Sequence, residues 1–188
     1  MKKIGIYGGT FDPIHHGHLI LAREARETLG LEKLIFVPAR IVPHKRAAFA
    51  SGELRLSMLQ AGVEGEGGFE VDDCELRRAP PSYTIDTIEE IQRRETSSEI
   101  YYLIGKDNLP GLANWRRFDE LQKMVRFAVL DRAGAQPTHG YPVITRKIDI
   151  SATEIRKRVA SGRSIRYLVP ARVEEIIRRN NLYREPVQ

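Results

Sequence analysis

A short apolar run, residues 3–7, ends abruptly at Gly8-Gly9-Thr10-Phe11-Asp12-Pro13-Ile14-His15-His16-Gly17-His18. Beyond it Leu21, Ala22, Ala25 and Leu29 recur at helical spacing until Gly30 breaks the pattern, and residues 34–37 form a second apolar run of strand length. A strand, a glycine-bearing turn, a helix and a second strand make a crossover unit, and such units build parallel sheets with helices on their faces. The remaining chain has to extend that architecture.

It does so by alternation. Residues 40–52 read as a Pro- and Lys-bearing loop and 53–63 as a helix. Residues 69–76 read as a strand, 84–94 as a helix, and 99–104 as a strand ending in Gly105. A short helix over 119–124 precedes strands over 126–130 and 142–148, and helices over 151–159 and 170–180 close the chain. Residues 65–68 and 133–140 carry glycine and read as surface loops. The expected fold is α/β: one doubly wound, Rossmann-like domain over residues 1–188, with a mainly parallel sheet and a small helical C-terminal cap from about 151. Ligands of such sheets sit beyond the carboxyl ends of the strands. Gly8-Gly9, Pro38, Gly105 and Asp131 follow strand ends and are expected to converge on one crevice.

Composition narrows the partners only a little. Lys and Arg exceed Asp and Glu by 30 to 25, which gives a net charge of +5 and attracts anions without choosing between small phosphates and nucleic acid. No helix-turn-helix appendage, zinc finger or basic tail is evident, so nucleic acid is not the expected partner. Cys74 is the single cysteine, so no intrachain disulfide forms. The apolar run before Gly8 is too short for a signal peptide, and no run is long enough to span a bilayer. A cytoplasmic chain without a membrane partner is expected; its oligomeric state, a homo-oligomer included, is not readable from residues.

The first turn has the composition of a phosphate site. Glycines after a strand let backbone approach a ligand, and the following helix N-terminus favours an anion. His15 and His18, three residues apart, can face the same phosphate. Gly8-Gly9 alone would equally make a tight turn. His15, His16 and His18 with Asp12 also permit a zinc reading, but their spacing matches no usual metal site, and no metal site is expected. Near the other end, Ser151 followed by Glu154 is a capping box, while Thr153 and Arg156 on the helix it starts can meet a phosphate.

The first segment resembles the HxGH loop of the nucleotidyltransferase superfamily. Ile150-Ser151-Ala152-Thr153-Glu154-Ile155-Arg156 is similar to the ISSTxIR motif of its adenylyltransferases, with Ala152 departing at one small position. Three more stretches resemble bacterial nicotinate mononucleotide adenylyltransferases. They are the Pro43-His44-Lys45 loop, Ser82-Tyr83-Thr84-Ile85-Asp86-Thr87, and Gly105-Lys106-Asp107 with the downstream Trp115. Asp131-Arg132-Ala133-Gly134 stands where that family has an RPG-like turn and lacks its proline. Each stretch also has a plainer account: a solvated basic loop around Lys45, a helix cap at Ser82 or Thr84, a core tryptophan at Trp115.

The resemblance implies adenylyl transfer from ATP to nicotinate mononucleotide, giving deamido-NAD and pyrophosphate. It implies catalytic roles for His15, His18, Lys45 and Arg156, with His18 nearest the α-phosphate. Gly8, Gly9, Thr10, Phe11, Gly105, Asp107, Ser151 and Thr153 would bind ATP; Thr84, Trp115 and Arg132 would bind the mononucleotide. Mg2+ would arrive with the ATP, held by its phosphates and water rather than by a protein cage. The alternatives are a nicotinamide mononucleotide or phosphopantetheine acceptor, or a non-catalytic nucleotide sensor on the same fold.

Overall fold

The structure, a computed structural model, describes residues 1–41, 47–134 and 140–184. Among them six strands form one sheet in the order β3-β2-β1-β4-β5-β6, and every pairing is parallel. The strands are β1 Lys2–Gly9, β2 Lys33–Pro38, β3 Phe69–Val71, β4 Ser98–Gly105, β5 Arg126–Asp131 and β6 Val143–Thr145. The helices are α1 His16–Leu29, α2 Gly52–Val63, α3 Cys74–Arg77, α4 Thr84–Arg94, α5 Phe118–Met124, α6 Ala152–Ala160 and α7 Ala171–Arg179. A 3-10 segment, Lys106–Asn114, follows β4 and was not anticipated from periodicity.

Both faces of the sheet are covered, so its central strands are apolar almost throughout. Side chains alternate between the faces. Tyr7, Leu34, Phe36, Leu103 and Leu130 join a core under α1, α2, α6 and α7. Ile4, Ile6, Ile35, Val37, Tyr102 and Val129 join a second core under α4 and α5. The chain changes face between β3 and β4, where it passes from beside β2 to the far side of β1. That reversal opens the crevice at the carboxyl ends of β1 and β4. The expected convergence is present: Gly9 pairs with Pro38 and Gly105 with Leu130, one residue before Asp131.

Two expected strands are shorter. The run over 69–76 stops at Val71, because the Cys74 N–H donates to Asp72 Oδ1 at 2.9 Å and turns the chain into α3. The run over 142–148 pairs with β5 only through Val143–Thr145. No helix among the described residues is long and apolar enough to cross a membrane.

One buried cation ties the loops at the crevice. Arg55, 2% exposed, lies on the α2 stripe formed with Met58, Leu59 and Val63. Its Nη1 donates to the carbonyls of Thr10 at 2.9 Å and Ala39 at 2.7 Å, and its Nε donates to Ala50 at 3.3 Å. The turns after β1 and β2 and the approach to α2 thereby share one guanidinium. Arg55→Met is expected to lower the unfolding free energy by about 2–4 kcal/mol, because it strands three carbonyls that a charged donor satisfied. Urea unfolding of the two proteins checks this.

Candidate active site

The first turn is shaped by collisions that only glycine avoids. A Cβ on Gly8 would strike the Tyr102 hydroxyl of the neighbouring strand, and one on Gly9 would meet the Phe11 ring at 2.8 Å. Phe11 adopts a φ of +47° and folds under the turn, where Tyr7 and Phe36 both pack against it edge-on. It is 3% exposed, so its ring belongs to the core and is closed to ATP; only its backbone is left for that expected role.

His15 is the N-cap of α1. Its Nδ1 accepts the His18 N–H at 3.3 Å, and its ring stacks on the His18 imidazole with centroids 3.7 Å apart. As an acceptor at Nδ1, the neutral His15 ring carries its proton on Nε2. Burial, helped by the nearby Arg132 charge, holds its pKa down at about 3. His18 is likewise held well below the ordinary histidine value, by burial first and then by the charges of His15 and Arg132. Both rings are therefore neutral N–H donors at physiological pH. The two rings, both expected at the phosphates with His18 nearest the α-phosphate, are not equivalent: His15 is 1% exposed and serves as cap and platform, with His18 stacked on it. In the first turn of α1, the His16 N–H donates to Leu168.

The second motif closes on the first. Ser151 caps α6 by accepting the Glu154 N–H at 3.1 Å, as the capping-box pattern predicted. Arg156 then reaches back: its Nη1 donates to the Asp12 carbonyl at 2.7 Å and its Nη2 to Thr153 Oγ1 at 3.2 Å. The Phe49 ring lies 4.5 Å from its guanidinium carbon. Its Nε is buried with no partner among the described residues.

Asp12 is the junction of these parts. Its carboxylate, 4% exposed, accepts the N–H of Phe49 at 2.6 Å, the N–H of Ala50 at 3.3 Å and the Tyr183 hydroxyl at 2.5 Å. Those oxygens are occupied, which removes the fourth ligand from the zinc reading. Neither Arg55 nor Tyr183 was anticipated as part of the site. Arg55 left a signal, a cation at helical spacing with three buried apolar residues. Tyr183 left none.

The other side of the crevice differs in character. Thr84 Oγ1 lies 3.4 Å from the Tyr102 hydroxyl, and the Trp115 ring stands nearly perpendicular to Tyr102 at 6.0 Å. Trp115 is partly buried against the second core, so it is both a packing residue and a wall. The Arg116 guanidinium carbon sits 4.6 Å from the centre of the Tyr83 ring. The expected cap at Ser82 or Thr84 is absent: Tyr83 is the N-cap of α4 and no side chain closes that end. Ser82 instead accepts the Arg40 N–H at 3.1 Å. Beneath, the buried Glu75 accepts the Thr87 hydroxyl at 2.7 Å, and burial raises its pKa.

Asp107 is exposed at the mouth of the crevice, its carboxylate turned back over Gly105. Lys106 pairs with the buried Asp131 at 3.0 Å. Arg132 is placed differently from expectation. Its Nη1 donates to the Ile150 carbonyl at 2.8 Å and its charge acts on both histidines, which puts it beside His15 and His18 rather than with Thr84 and Trp115. Lys45 falls outside the described residues.

A glycine turn, a capped helix N-terminus and an arginine on a second capped helix, all at the switch point of a parallel sheet, define a nucleotide-binding transferase site. Residues 6–158 match the cytidylyltransferase-like family, and the chain belongs to it. Its curated relatives include a probable nicotinate-nucleotide adenylyltransferase of Exiguobacterium sibiricum, 41% identical over 186 residues and covering 96% of this chain and 98% of that one. The nicotinate-nucleotide adenylyltransferase of Bacillus subtilis is 35% identical, over 97% of this chain and 99% of its own. Among solved structures, the Plasmodium falciparum nicotinic acid mononucleotide adenylyltransferase complexed with NaAD superposes with a TM-score of 0.82 at 19% identity, over the full length of both chains. At that identity it is the fold that is shared.

Two outcomes test the site. Gly8→Ala is expected to weaken substrate binding at least tenfold by pushing Tyr102 aside, and Tyr102→Phe in the same chain should restore much of it by removing the struck hydroxyl; steady-state KM values decide. His15 has a folded pKa below its unfolded value of 6.5, so its contribution to stability is complete above pH 6.5 and is lost as pH falls toward 3. Between pH 7 and 5 that loss amounts to up to about 2 kcal/mol. His15→Asn replaces the capping ring nitrogen with an amide oxygen that does not titrate, and its urea midpoint should fall less over the same pH range.

Proposed function

We propose that the chain transfers the adenylyl group of ATP to nicotinate mononucleotide, giving deamido-NAD and pyrophosphate in NAD biosynthesis. The observation that carries this reading is the bond from Arg156 to the Asp12 carbonyl, which makes two distant motifs one triphosphate clamp. The curated relatives, full-length and carrying this activity in their names, support the acceptor. So does the uncapped N-terminus of α4 beside Thr84 and Trp115, where the helix dipole favours an anion such as the nicotinate carboxylate.

The mechanism follows from the chemistry of the groups. A 5′-phosphate monoester is already ionised at neutral pH, so its oxygen attacks the α-phosphorus without a strong base. Catalysis then rests on alignment and on donors for the charge that develops. His18, neutral and fixed by its stack on His15, donates to the α-phosphate. Arg156 neutralises the outer phosphates and the departing pyrophosphate; Lys45 is assigned the same task by its resemblance to the family loop. Thr84, Tyr102 and Trp115 hold the acceptor nucleotide, and Asp107 meets a ribose. Magnesium accompanies the ATP on its phosphates and water. Asp12 is committed to Phe49, Ala50 and Tyr183, and Asp131 to Lys106 and the Ala133 N–H, so neither carboxylate is offered to the ion.

Pyrophosphate release with ATP and each of nicotinate mononucleotide, nicotinamide mononucleotide and phosphopantetheine tests the reading. Nicotinate mononucleotide should be preferred at least tenfold; equal rates with the two pyridine nucleotides defeat the acceptor assignment, and no release with any acceptor leaves a sensor. His18→Ala should lower turnover about 10²-fold or more, the scale for losing one preorganised donor. A folded variant with near-normal turnover removes His18 from the α-phosphate.

A further inference from the structure

Tyr183 lies four residues past the end of α7, in a left-handed backbone conformation with φ of +60°, and is 8% exposed. Its hydroxyl donates to Asp12 Oδ1 at 2.5 Å across 171 residues of chain. Burial and the adjoining Asp12 carboxylate push its pKa far up, so it remains a donor at any working pH. Asp12 grips Arg156 twice. Its carbonyl accepts the guanidinium directly, and its carboxylate anchors the N–H of Phe49, whose ring lies against that same guanidinium. Among the described residues the Tyr183 hydroxyl is the third donor to this carboxylate and the only one supplied from outside the crevice loops.

We propose that Tyr183 is a positioning residue for ATP: its hydrogen bond to Asp12 fixes the carbonyl and the aromatic ring between which Arg156 is aimed at the triphosphate. The C-terminal segment thereby completes the clamp without touching nucleotide. The inference rests on the proposed role of Arg156 and predicts an effect confined to the ATP side. Removing the hydroxyl leaves a buried carboxylate short of one donor, and Asp12 shifts toward other partners. The acceptor side, built from α4 and Trp115 on the opposite face of the sheet, shares no contact with Tyr183 among the described residues.

The test compares Tyr183→Phe and Tyr183→Leu in the full chain, by calorimetric ATP binding, steady-state kinetics and thermal unfolding. Both variants should weaken ATP binding about tenfold while leaving KM for the mononucleotide within twofold. Leu, which removes the ring as well, should cost more in Tm than Phe but no more in ATP affinity. In an Arg156→Ala background the Phe substitution should add less than twofold, because its route to ATP is gone. A loss of ATP affinity that tracks the fall in Tm across the variants, equal losses for both substrates, unchanged ATP binding in Tyr183→Phe, or additive losses with Arg156→Ala would each overturn the proposal. Calorimetry reads ATP binding without an acceptor, so a wild-type protein that binds ATP but releases no pyrophosphate defeats the reaction and not the positioning role.

Discussion

A single buried carboxylate organises the reactive end of this molecule. Asp12 carries a charge out of water and is compensated by two backbone amides and a tyrosine hydroxyl, while the Arg55 guanidinium is close enough for its own pKa to feel Asp12. An ionised group so placed is tolerated only when its donors are held in position. Meeting that requirement brings together the β1–α1 turn, the approach to α2, the C-terminal segment and, through the Asp12 carbonyl, α6. Arg55 performs the complementary task for the carbonyls of Thr10, Ala39 and Ala50. The two groups tie the β1–α1 turn, both ends of the β2–α2 connection and the C-terminal segment together at the mouth of the crevice.

Rigidity at the mouth matters because the chemistry needs little else. Neither histidine is charged, and no side chain has to take a proton from a phosphate monoester. On the proposed reading the site has to supply a donor already in place where charge will develop, and the His15–His18 stack is suited to it: one ring spends its acceptor on the helix terminus and becomes the floor on which the other is held. Burial contributes here twice. It keeps the rings neutral, and it sets them in surroundings where a hydrogen bond to an anion is strong.

Much of the architecture was legible in residues. The β1–α1–β2 unit followed from helical spacing after Gly9, α4 fell on its expected bounds, and the strand ends converged where alternation placed them. What failed did so for local reasons. Alternating apolar residues over 69–76 resemble a strand, but a short polar side chain at Asp72 captured a backbone amide and won the segment for a turn. Phe11 sat in a phosphate-loop motif yet went to the core, because glycine at position 9 lets a ring pass beneath it. Arg132 was expected beside Thr84 and Trp115 and lies instead near His15 and His18: its chain position fits either half of the crevice, and the choice depends on where Ile150 lies. Tyr183 could not be found at all, since a contact across 171 residues leaves no local pattern.

The change of face between β3 and β4 separates duties as well as cores. The residues of α1 and α6 and Tyr183 pack in one layer, and those of α3, α4 and Trp115 in the other, so the proposed triphosphate contacts and the proposed acceptor pocket fall on opposite faces. The sheet is the partition, and at the seam of β1 and β4 the Tyr102 hydroxyl of one strand lies over Gly8 of the other. A scaffold divided this way is modular. On the proposed reading, substitutions around α4 and Trp115 would reshape the acceptor pocket while the contacts between Arg156 and Asp12 stay as they are.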